Sequence, residues 1–163
     1  MRASLAEIDW TSWTPTMRGT LLFVLHQGQA LLIRKKRGLG AGKINAPGGK
    51  IDPGETALQS AERELLEEVG VVALGTEEVG ELSFQFLDGL RLHVVVFLAR
   101  EHRGLPVETE EAIPMWVGLD ALPYDEMWAD DRIWIPRMLA GERFRLRAVF
   151  DGDVMLDHEI EVG

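Results

Sequence analysis

The chain has 163 residues, 46% of them hydrophobic, which is enough for one compact domain with an apolar core. It has no cysteine, which excludes disulfides and thiolate metal sites and fits a reducing cytoplasm. The net charge of −10 argues against binding to a nucleic-acid polymer but not against a small anionic ligand, because bound divalent cations reverse the local field. No apolar run is long enough for a signal peptide or a membrane span, so we expect a cytoplasmic protein without membrane partners.

In chain order, an N-terminal extension (residues 1–16) precedes one domain (residues 17–163) that contains three β-hairpins. Each hairpin consists of two apolar runs with a glycine-containing turn between them. The turns fall at residues 27–28, 88–89 and 151–152.

Two helical segments lie between the hairpins. The first follows Gly54 and ends at Gly70, and the second covers roughly Ala129–Leu139 and ends near Gly141. Strands interleaved with two helices predict a single α/β sandwich. One face of the first helix should pack on the sheet through its apolar side chains, which are Leu58, Ala61, Leu65 and Val69.

Acidic residues share another face of the first helix. Glu64, Glu67 and Glu68 are spaced i, i+3 and i+4, which brings like charges together near the end of the helix that disfavours them. A solvated acidic face is one interpretation. A bound divalent cation is the other, because Mg²⁺ takes several carboxylate oxygens as ligands. The preceding stretch "APGGKIDPGE" has paired glycines that allow close backbone approach, which favours metal-assisted phosphate chemistry.

This stretch resembles the signature of the Nudix hydrolases. All nine of its fixed positions are filled here, and a chance match of that kind is on the order of one in a billion per starting position. They are Gly49, Glu55, Arg63, Glu64, Leu65, Glu67, Glu68, Gly70 and Val71. The resemblance implies an α/β/α sandwich with a mixed central sheet and two main helices.

The resemblance also implies hydrolysis of a diphosphate linkage in a nucleoside diphosphate derivative, with Mg²⁺ as cofactor and Mn²⁺ as a substitute. Glu64, Glu67, Glu68 and the backbone carbonyl of Gly48 would hold the metal. The bound metal would neutralise phosphate charge and lower the pKa of the attacking water.

The implied catalytic set comprises Glu64, Arg63 and Glu111. Arg63 would pair with Glu55 and orient the metal ligands. Glu64 and Glu111 are alternative general bases, and the sequence leaves that choice open.

Residues 18–158 are further similar to the oxidised purine nucleoside triphosphatases, the 8-oxo-dGTP diphosphatase type. In that group an asparagine reads the purine, a tryptophan stacks on it and two aspartates bond its edge, and other side chains line the pocket. The matching positions are Asn45, Trp128, Asp130 and Asp131, with Thr20, Lys35 and Phe84 along the pocket. Ile44 and the Ala46-Pro47 pair depart from the group's usual residues and put the shape of the pocket in question.

Three alternatives accompany this interpretation. Asp130 and Asp131 are also typical of a helix start, where they would serve as caps. Within the same chemistry, the second alternative is another substrate, such as ADP-ribose, a nucleotide sugar or a capped RNA end. A non-catalytic nucleotide-binding module is the least favoured, because no carboxylate of the signature is lost. The sequence leaves open the modified base, the sugar and the oligomeric state.

Overall fold

A computed structural model describes residues 4–163, which form eleven β-strands, two α-helices and two short 3-10 helices. The strands are β1 (Met17–His26), β2 (Gln29–Lys35), β3 (Ile44–Asn45), β4 (Gly48–Lys50), β5 (Val72–Leu74), β6 (Glu77–Phe86), β7 (Arg91–Ala99), β8 (Glu101–Arg103), β9 (Ala112–Gly118), β10 (Phe144–Asp151) and β11 (Val154–Val162). The α-helices are α1 (Ala57–Val69) and α2 (Asp131–Leu139), and the 3-10 helices are Leu5–Glu7 and Tyr124–Glu126.

Nine of the strands in this described range form one sheet in the order β11-β10-β6-β7-β1-β2-β3, with β4 paired to β1 and β9 paired to β2. The β1–β7 and β6–β10 pairs are parallel, and the remaining pairs are antiparallel. The predicted mixed sheet is therefore confirmed. A separate ribbon pairs β5 with β8.

The three predicted hairpins are β1–β2, β6–β7 and β10–β11. In the first, Gln27 and Gly28 both have positive φ, at 50° and 75°, which matches the right-handed twist of paired strands. The strands β3, β4, β5, β8 and β9 were not predicted. Four of them have only two or three residues, which give too little alternation to recognise, and β9 contains Pro114, which interrupts a strand pattern.

The helices cover opposite faces of the sheet. Thr56 and Gln59 form a capping box at the start of α1, and Gly70 ends it in the left-handed conformation at φ 74°. Ala61, Leu65 and Val69 are fully buried, as predicted. The prediction for Leu58 was wrong: it is 39% exposed, because α1 packs on β1 and β4 along a stripe that turns toward Ser60 and Glu68.

The second helix packs on the other face. It begins at Asp131 and so starts two residues later than predicted. Trp134, Ile135 and Met138 pack with β6, β7 and β10 side chains in one core cluster. A second cluster joins α1 to β1 and β2. Within residues 4–163 no helix is long and apolar enough to cross a membrane.

Residues 4–16, the described part of the predicted extension, lie against β6, β10 and β11. The Trp13 Nε1 donates a 3.0 Å hydrogen bond to Gln85 Oε1. The Arg147 guanidinium lies 5.4 Å from the centre of the Trp10 ring. The extension therefore covers the side of the sheet opposite α2.

Candidate active site

Three carboxylates meet between α1 and the loop that precedes β9. Glu64, Glu68 and Glu111 each offer an oxygen atom, and these atoms lie within 4.8 Å of one another. Glu64 and Glu68 are one helical turn apart, whereas Glu111 comes from more than forty residues further along the chain. The fold thus adds a third carboxylate to the two that helical spacing predicts.

Burial and mutual repulsion disfavour the charged forms of Glu64 and Glu68. Burial, with the charges of Glu64 and Glu111, raises the pKa of Glu68 to about 8, against a hydrogen bond from the Gly48 N–H. Burial also raises the pKa of Glu64, and the charges of Glu67 and Glu111 act in the same direction. Three hard oxygen donors this close together fit a divalent cation, which would stabilise the charged forms of Glu64 and Glu68.

Arg63 holds the neighbouring carboxylates. Its Nε and Nη2 donate to the two oxygens of Glu55 at 2.7 and 3.0 Å. Its Nη1 donates to Glu64 at 3.0 Å and to Glu67 at 3.2 Å. The hydrogen bonds from Arg63 lower the pKa of Glu55 to about 2. Arg63 therefore fixes the orientation of Glu64 from its solvent side.

Glu67 is not brought into the three-carboxylate cluster. Its side chain is 50% exposed and contacts Arg63. The structure thus places two of the three helix carboxylates predicted as metal ligands in the cluster, and it places Glu111 there as well.

The paired glycines permit a close approach of the backbone to these acids. A Cβ at Gly48 would lie 1.9 Å from the carbonyl oxygen of Thr20, and one at Gly49 would lie 2.4 Å from the Glu64 carboxyl carbon. The Gly48 N–H donates a 2.8 Å hydrogen bond to Glu68 Oε1. Only glycine fits at Gly48, where the obstacle is backbone, whereas a side chain at Gly49 would displace the Glu64 carboxylate.

A cavity of about 270 Å³ opens on the α2 face of the sheet, beside this glycine pair. All seven residues predicted to bind the substrate line it. They are Thr20, Lys35, Asn45, Phe84, Trp128, Asp130 and Asp131. Gly48 and Gly49 line it as well, so the cavity and the acidic cluster lie on two sides of the same strand.

The side chains of Asp130 and Asp131 do not cap α2, which was the alternative to base recognition. Asp130 makes no side-chain capping bond, and its Oδ2 instead accepts a 2.8 Å hydrogen bond from the Trp134 indole N–H. Asp131 Oδ2 accepts a 3.2 Å hydrogen bond from the Trp128 backbone N–H. Both residues are 2% exposed, so both carboxyl groups are removed from solvent at the wall of the cavity.

Burial raises the pKa of both carboxyls. It raises the pKa of Asp130 to about 6, against the hydrogen bond from Trp134. It raises the pKa of Asp131 well above its usual range, and the charge of Asp130 acts in the same direction. The Lys43 charge opposes the shift at Asp131. Both shifts favour the protonated form, and a carboxyl that gains a proton can donate as well as accept hydrogen bonds.

Aromatic rings hold Trp128 at the cavity. Its ring meets Phe86 and Phe150 edge-on, at 6.3 and 5.8 Å between ring centres. The Lys43 ammonium lies 5.2 Å from the Trp128 ring centre. Sequence reasoning missed these three neighbours. The alternation of Phe84 and Phe86 in β6 was a usable signal for Phe86, whereas nothing local marked Lys43.

Polar groups complete the cavity wall. Within residues 4–163 the buried Thr20 Oγ1 has no hydrogen-bond partner in the protein, which suits contact with a ligand. The Asn45 Oδ1 accepts from the Ala46 N–H at 2.9 Å, which fixes the amide plane. Lys35 lines the cavity, and its charge also favours ionised Glu68. Lys35 thus acts on both halves of the site.

The two departures noted in the sequence are both buried. Ile44 is 3% exposed and belongs to the core cluster beneath α2, and it does not line the cavity. Ala46 is 2% exposed and lines the cavity, so this departure bears directly on the shape of the cavity.

Comparisons with known proteins agree with this geometry. The NUDIX domain family model matches residues 15–138. A Danio rerio protein named oxidized purine nucleoside triphosphate hydrolase is 42% identical over 144 residues, which cover 87% of this chain and 92% of that protein. A Mus musculus protein of the same name is 40% identical over 143 residues, which cover 86% and 92%. The structure of the MutT protein from Bacillus halodurans has a TM-score of 0.78 at 27% identity, and the match covers 89% of this chain and 97% of that one.

Proposed function

The chain belongs to the Nudix family, and on that basis we propose that it hydrolyses oxidised purine nucleoside triphosphates to the monophosphate and diphosphate. The observation that carries the proposal is the shared wall between the cavity and the acidic cluster. Gly48 and Gly49 line the cavity, while Gly48 also bonds Glu68 of the cluster. A purine in the cavity would therefore have its phosphates at the carboxylates.

The cavity suits a purine with an altered hydrogen-bonding edge. Trp128 offers a flat aromatic surface, and base stacking on such a ring contributes roughly 1–3 kcal/mol. Asp130 and Asp131 line the cavity as a buried pair, and burial raises the pKa of both carboxyls. An ionised carboxyl accepts from a ring N–H and a protonated one donates to a ring acceptor, so the pair suits 8-oxoguanine and also an oxidised adenine.

We assign Mg²⁺ as the cofactor, with Mn²⁺ as a substitute. Family membership supports a divalent metal, and the oxygens of Glu64, Glu68 and Glu111 supply hard ligands within 4.8 Å. The Gly48 carbonyl and Glu67 are further candidate ligands from the same loop and helix. When bound, the cation neutralises phosphate charge and makes a water molecule more acidic.

The chain's own residues orient the metal ligands and take a proton from the attacking water. Arg63 holds Glu64 through a 3.0 Å hydrogen bond and is itself held by both oxygens of Glu55. Glu64 and Glu111 are the two candidate bases that accept the proton of the attacking water. Both belong to the cluster, so either lies near the phosphate that the cavity would present.

A substrate panel tests the proposal. With Mg²⁺, diphosphate release should be at least about tenfold faster in kcat/KM from 8-oxo-dGTP or 2-hydroxy-dATP than from dGTP or dATP, a difference of about 1.4 kcal/mol. ADP-ribose, a nucleotide sugar and a capped RNA end should be poor substrates. Preferred turnover of any of these three would overturn the substrate assignment while leaving the family chemistry intact.

We also place the protein in the cytoplasm, where its substrate pool lies, with a free nucleotide and no nucleic-acid polymer as its ligand. The absence of cysteine and the net charge of −10 support this placement. Fractionation of the source cells with a specific antibody is the test, and enrichment in another compartment would contradict it.

A further inference from the structure

Thr109 lies two residues before Glu111, and its hydroxyl contacts both parts of the acidic cluster. The Thr109 Oγ1 donates a 2.7 Å hydrogen bond to the backbone carbonyl of Glu68. The same oxygen accepts a 3.2 Å hydrogen bond from the Glu111 backbone N–H. One hydroxyl thus connects the helix that carries Glu64 and Glu68 with the loop that carries Glu111. We propose that Thr109 is a positioning residue that holds Glu111 against α1 and so completes the cation site.

The end of α1 explains why the loop docks there. The last carbonyls of a helix have no partner within the helix and require one from elsewhere. The loop supplies two: the Val107 N–H donates to the Val69 carbonyl at 3.0 Å, and Thr109 donates to the Glu68 carbonyl. Val107 is 53% exposed and Leu105 is 84% exposed. The loop is therefore held to the helix mainly by these hydrogen bonds, with little apolar burial.

Charge opposes this docking. The loop carries Glu108, Glu110 and Glu111, and it approaches a helix face that already holds Glu64 and Glu68. Like charges as close as those of Glu64, Glu68 and Glu111 repel one another. A loop without an anchoring hydrogen bond would therefore move the Glu111 carboxylate away from α1. A fixed tether close to Glu111 counteracts the repulsion before any cation arrives.

A second contact holds the opposite side of the loop. The Lys36 Nζ donates to Glu108 Oε2 at 2.6 Å and to the Thr109 carbonyl at 2.7 Å, and the Lys36 N–H donates to the Glu111 carbonyl at 3.0 Å. Lys36 extends from the end of β2, so these bonds fix the loop to the sheet. Thr109 supplies the link to α1, which is the element that carries the other two carboxylates.

The inference rests on the proposed function, because it concerns the cation site assigned there. Thr109→Val has nearly the same shape but lacks the hydroxyl, whereas Thr109→Ser keeps it. Changes to groups that orient metal ligands commonly weaken metal binding by about 10–100-fold. We expect Thr109→Val to weaken Mn²⁺ binding at least about tenfold and Thr109→Ser to stay within about threefold of wild type.

Thr16 offers a matched control. Its hydroxyl also donates to a backbone carbonyl and accepts from a backbone N–H, both of Arg91, at 3.2 and 3.0 Å. Thr16 belongs to the N-terminal segment, away from the acidic cluster. Thr16→Val should therefore remove the same two types of hydrogen bond and leave Mn²⁺ affinity unchanged.

The experiment titrates the nucleotide-free protein with Mn²⁺ and measures free Mn²⁺ by electron paramagnetic resonance, with Tm recorded for each variant in EDTA. A double-mutant cycle uses Glu111→Gln. If Thr109 acts by positioning Glu111, Thr109→Val should cost much less affinity in the Glu111→Gln background. If Thr109→Val does not fold, Thr109→Cys replaces it and should show intermediate affinity, because a thiol is a weak hydrogen-bond donor.

Two results would overturn the inference. The first is a lowered Tm with unchanged Mn²⁺ affinity in Thr109→Val, which means that the hydroxyl only stabilises the loop. The second is that Thr109→Val lowers Mn²⁺ affinity as much in the Glu111→Gln background as it does in the wild type. That result means that Thr109 does not act through Glu111. Failure of the wild type to bind Mn²⁺ is a separate outcome, which would reject the proposed cation site and this inference with it.

Discussion

The Asp130 carboxyl accepts a 2.8 Å hydrogen bond from the indole N–H of Trp134, one turn further along α2, where both side chains are buried. Asp131 is held in a similar way by the Trp128 N–H at 3.2 Å. Each carboxyl is therefore oriented by a hydrogen bond to the protein while its residue lines the cavity. This arrangement favours base recognition over helix capping.

Asp130→Asn and Asp131→Asn should each change base discrimination. An amide fixes one donor and one acceptor, whereas a carboxyl that gains or loses a proton can change between the two roles. We expect kcat/KM to fall with the preferred oxidised purine by a factor equivalent to roughly 1–3 kcal/mol of transition-state stabilisation. The fall should differ for other oxidised purines. Steady-state kinetics on 8-oxo-dGTP and 2-hydroxy-dATP measure this, with Mn²⁺ affinity as the control. Equal losses on all nucleotides would point to a purely structural role.

The same pair should make the metal-free protein less stable as pH rises. Burial raises the folded-state pKa of Asp130 from 3.8 to about 6, and that of Asp131 also lies above 3.8. Above pH 4 the folded state therefore holds protons that the unfolded state has lost, so the free energy of unfolding falls until the folded pKa values are passed. In EDTA, Tm should be higher at pH 5 than at pH 8.

The raised pKa values of Glu64 and Glu68 also make the metal-free protein less stable as pH rises. A variant is therefore needed to isolate the contribution of the two aspartates. Asp131→Asn should reduce the Tm difference between pH 5 and pH 8. Asp88→Asn, in an exposed turn, should leave the difference unchanged. A slope in Asp131→Asn equal to that of the wild type would contradict the raised pKa of the pair.

Local signals made much of the fold predictable. Glycine turns at positions 28, 89 and 152 gave the hairpins, and Gly70 gave the end of α1. Residues that meet only through the tertiary fold had no local signal. Lys43 bonds Asp153 at 3.3 Å across 110 positions, and the burial of Glu68 depends on how α1 rolls on β1 and β4. The residues proposed to contact the purine were predicted from the family resemblance, because hydrophobic periodicity does not indicate which side chains line a cavity.

Glu67→Gln should nearly abolish turnover while leaving stability almost unchanged. The side chain is 50% exposed and pairs with Arg63 at 3.2 Å, so losing that pair offsets the relief of repulsion from Glu64. We expect less than about a tenth of wild-type activity at saturating Mg²⁺, and a change in unfolding free energy within about 0.5 kcal/mol. Diphosphate-release assays and calorimetry measure the two. Activity above that level would remove Glu67 from the metal site, and activity of the wild type in EDTA would reject the metal mechanism.

Arg63→Lys should keep the charge but lose the fork that holds two carboxylates at once. Lysine cannot donate to both oxygens of Glu55 while also donating to Glu64, so Glu64 loses its fixed orientation. We expect kcat to fall at least about tenfold, with a smaller change in KM.

The Arg63→Lys change should also alter the acid unfolding of the protein. Arg63 lowers the folded-state pKa of Glu55 from 4.5 to about 2, which contributes stability that is present above pH 4.5 and is lost as pH falls toward 2. With lysine that pKa should return toward its usual value, so acid unfolding followed by circular dichroism should begin at a higher pH than in the wild type. Arg132→Lys, at a pair with Asp125 on the surface, is the control and should unfold in acid as the wild type does. Unchanged kcat together with an unchanged acid transition would show that Arg63 acts as a simple point charge, and the orienting role would then have to be withdrawn.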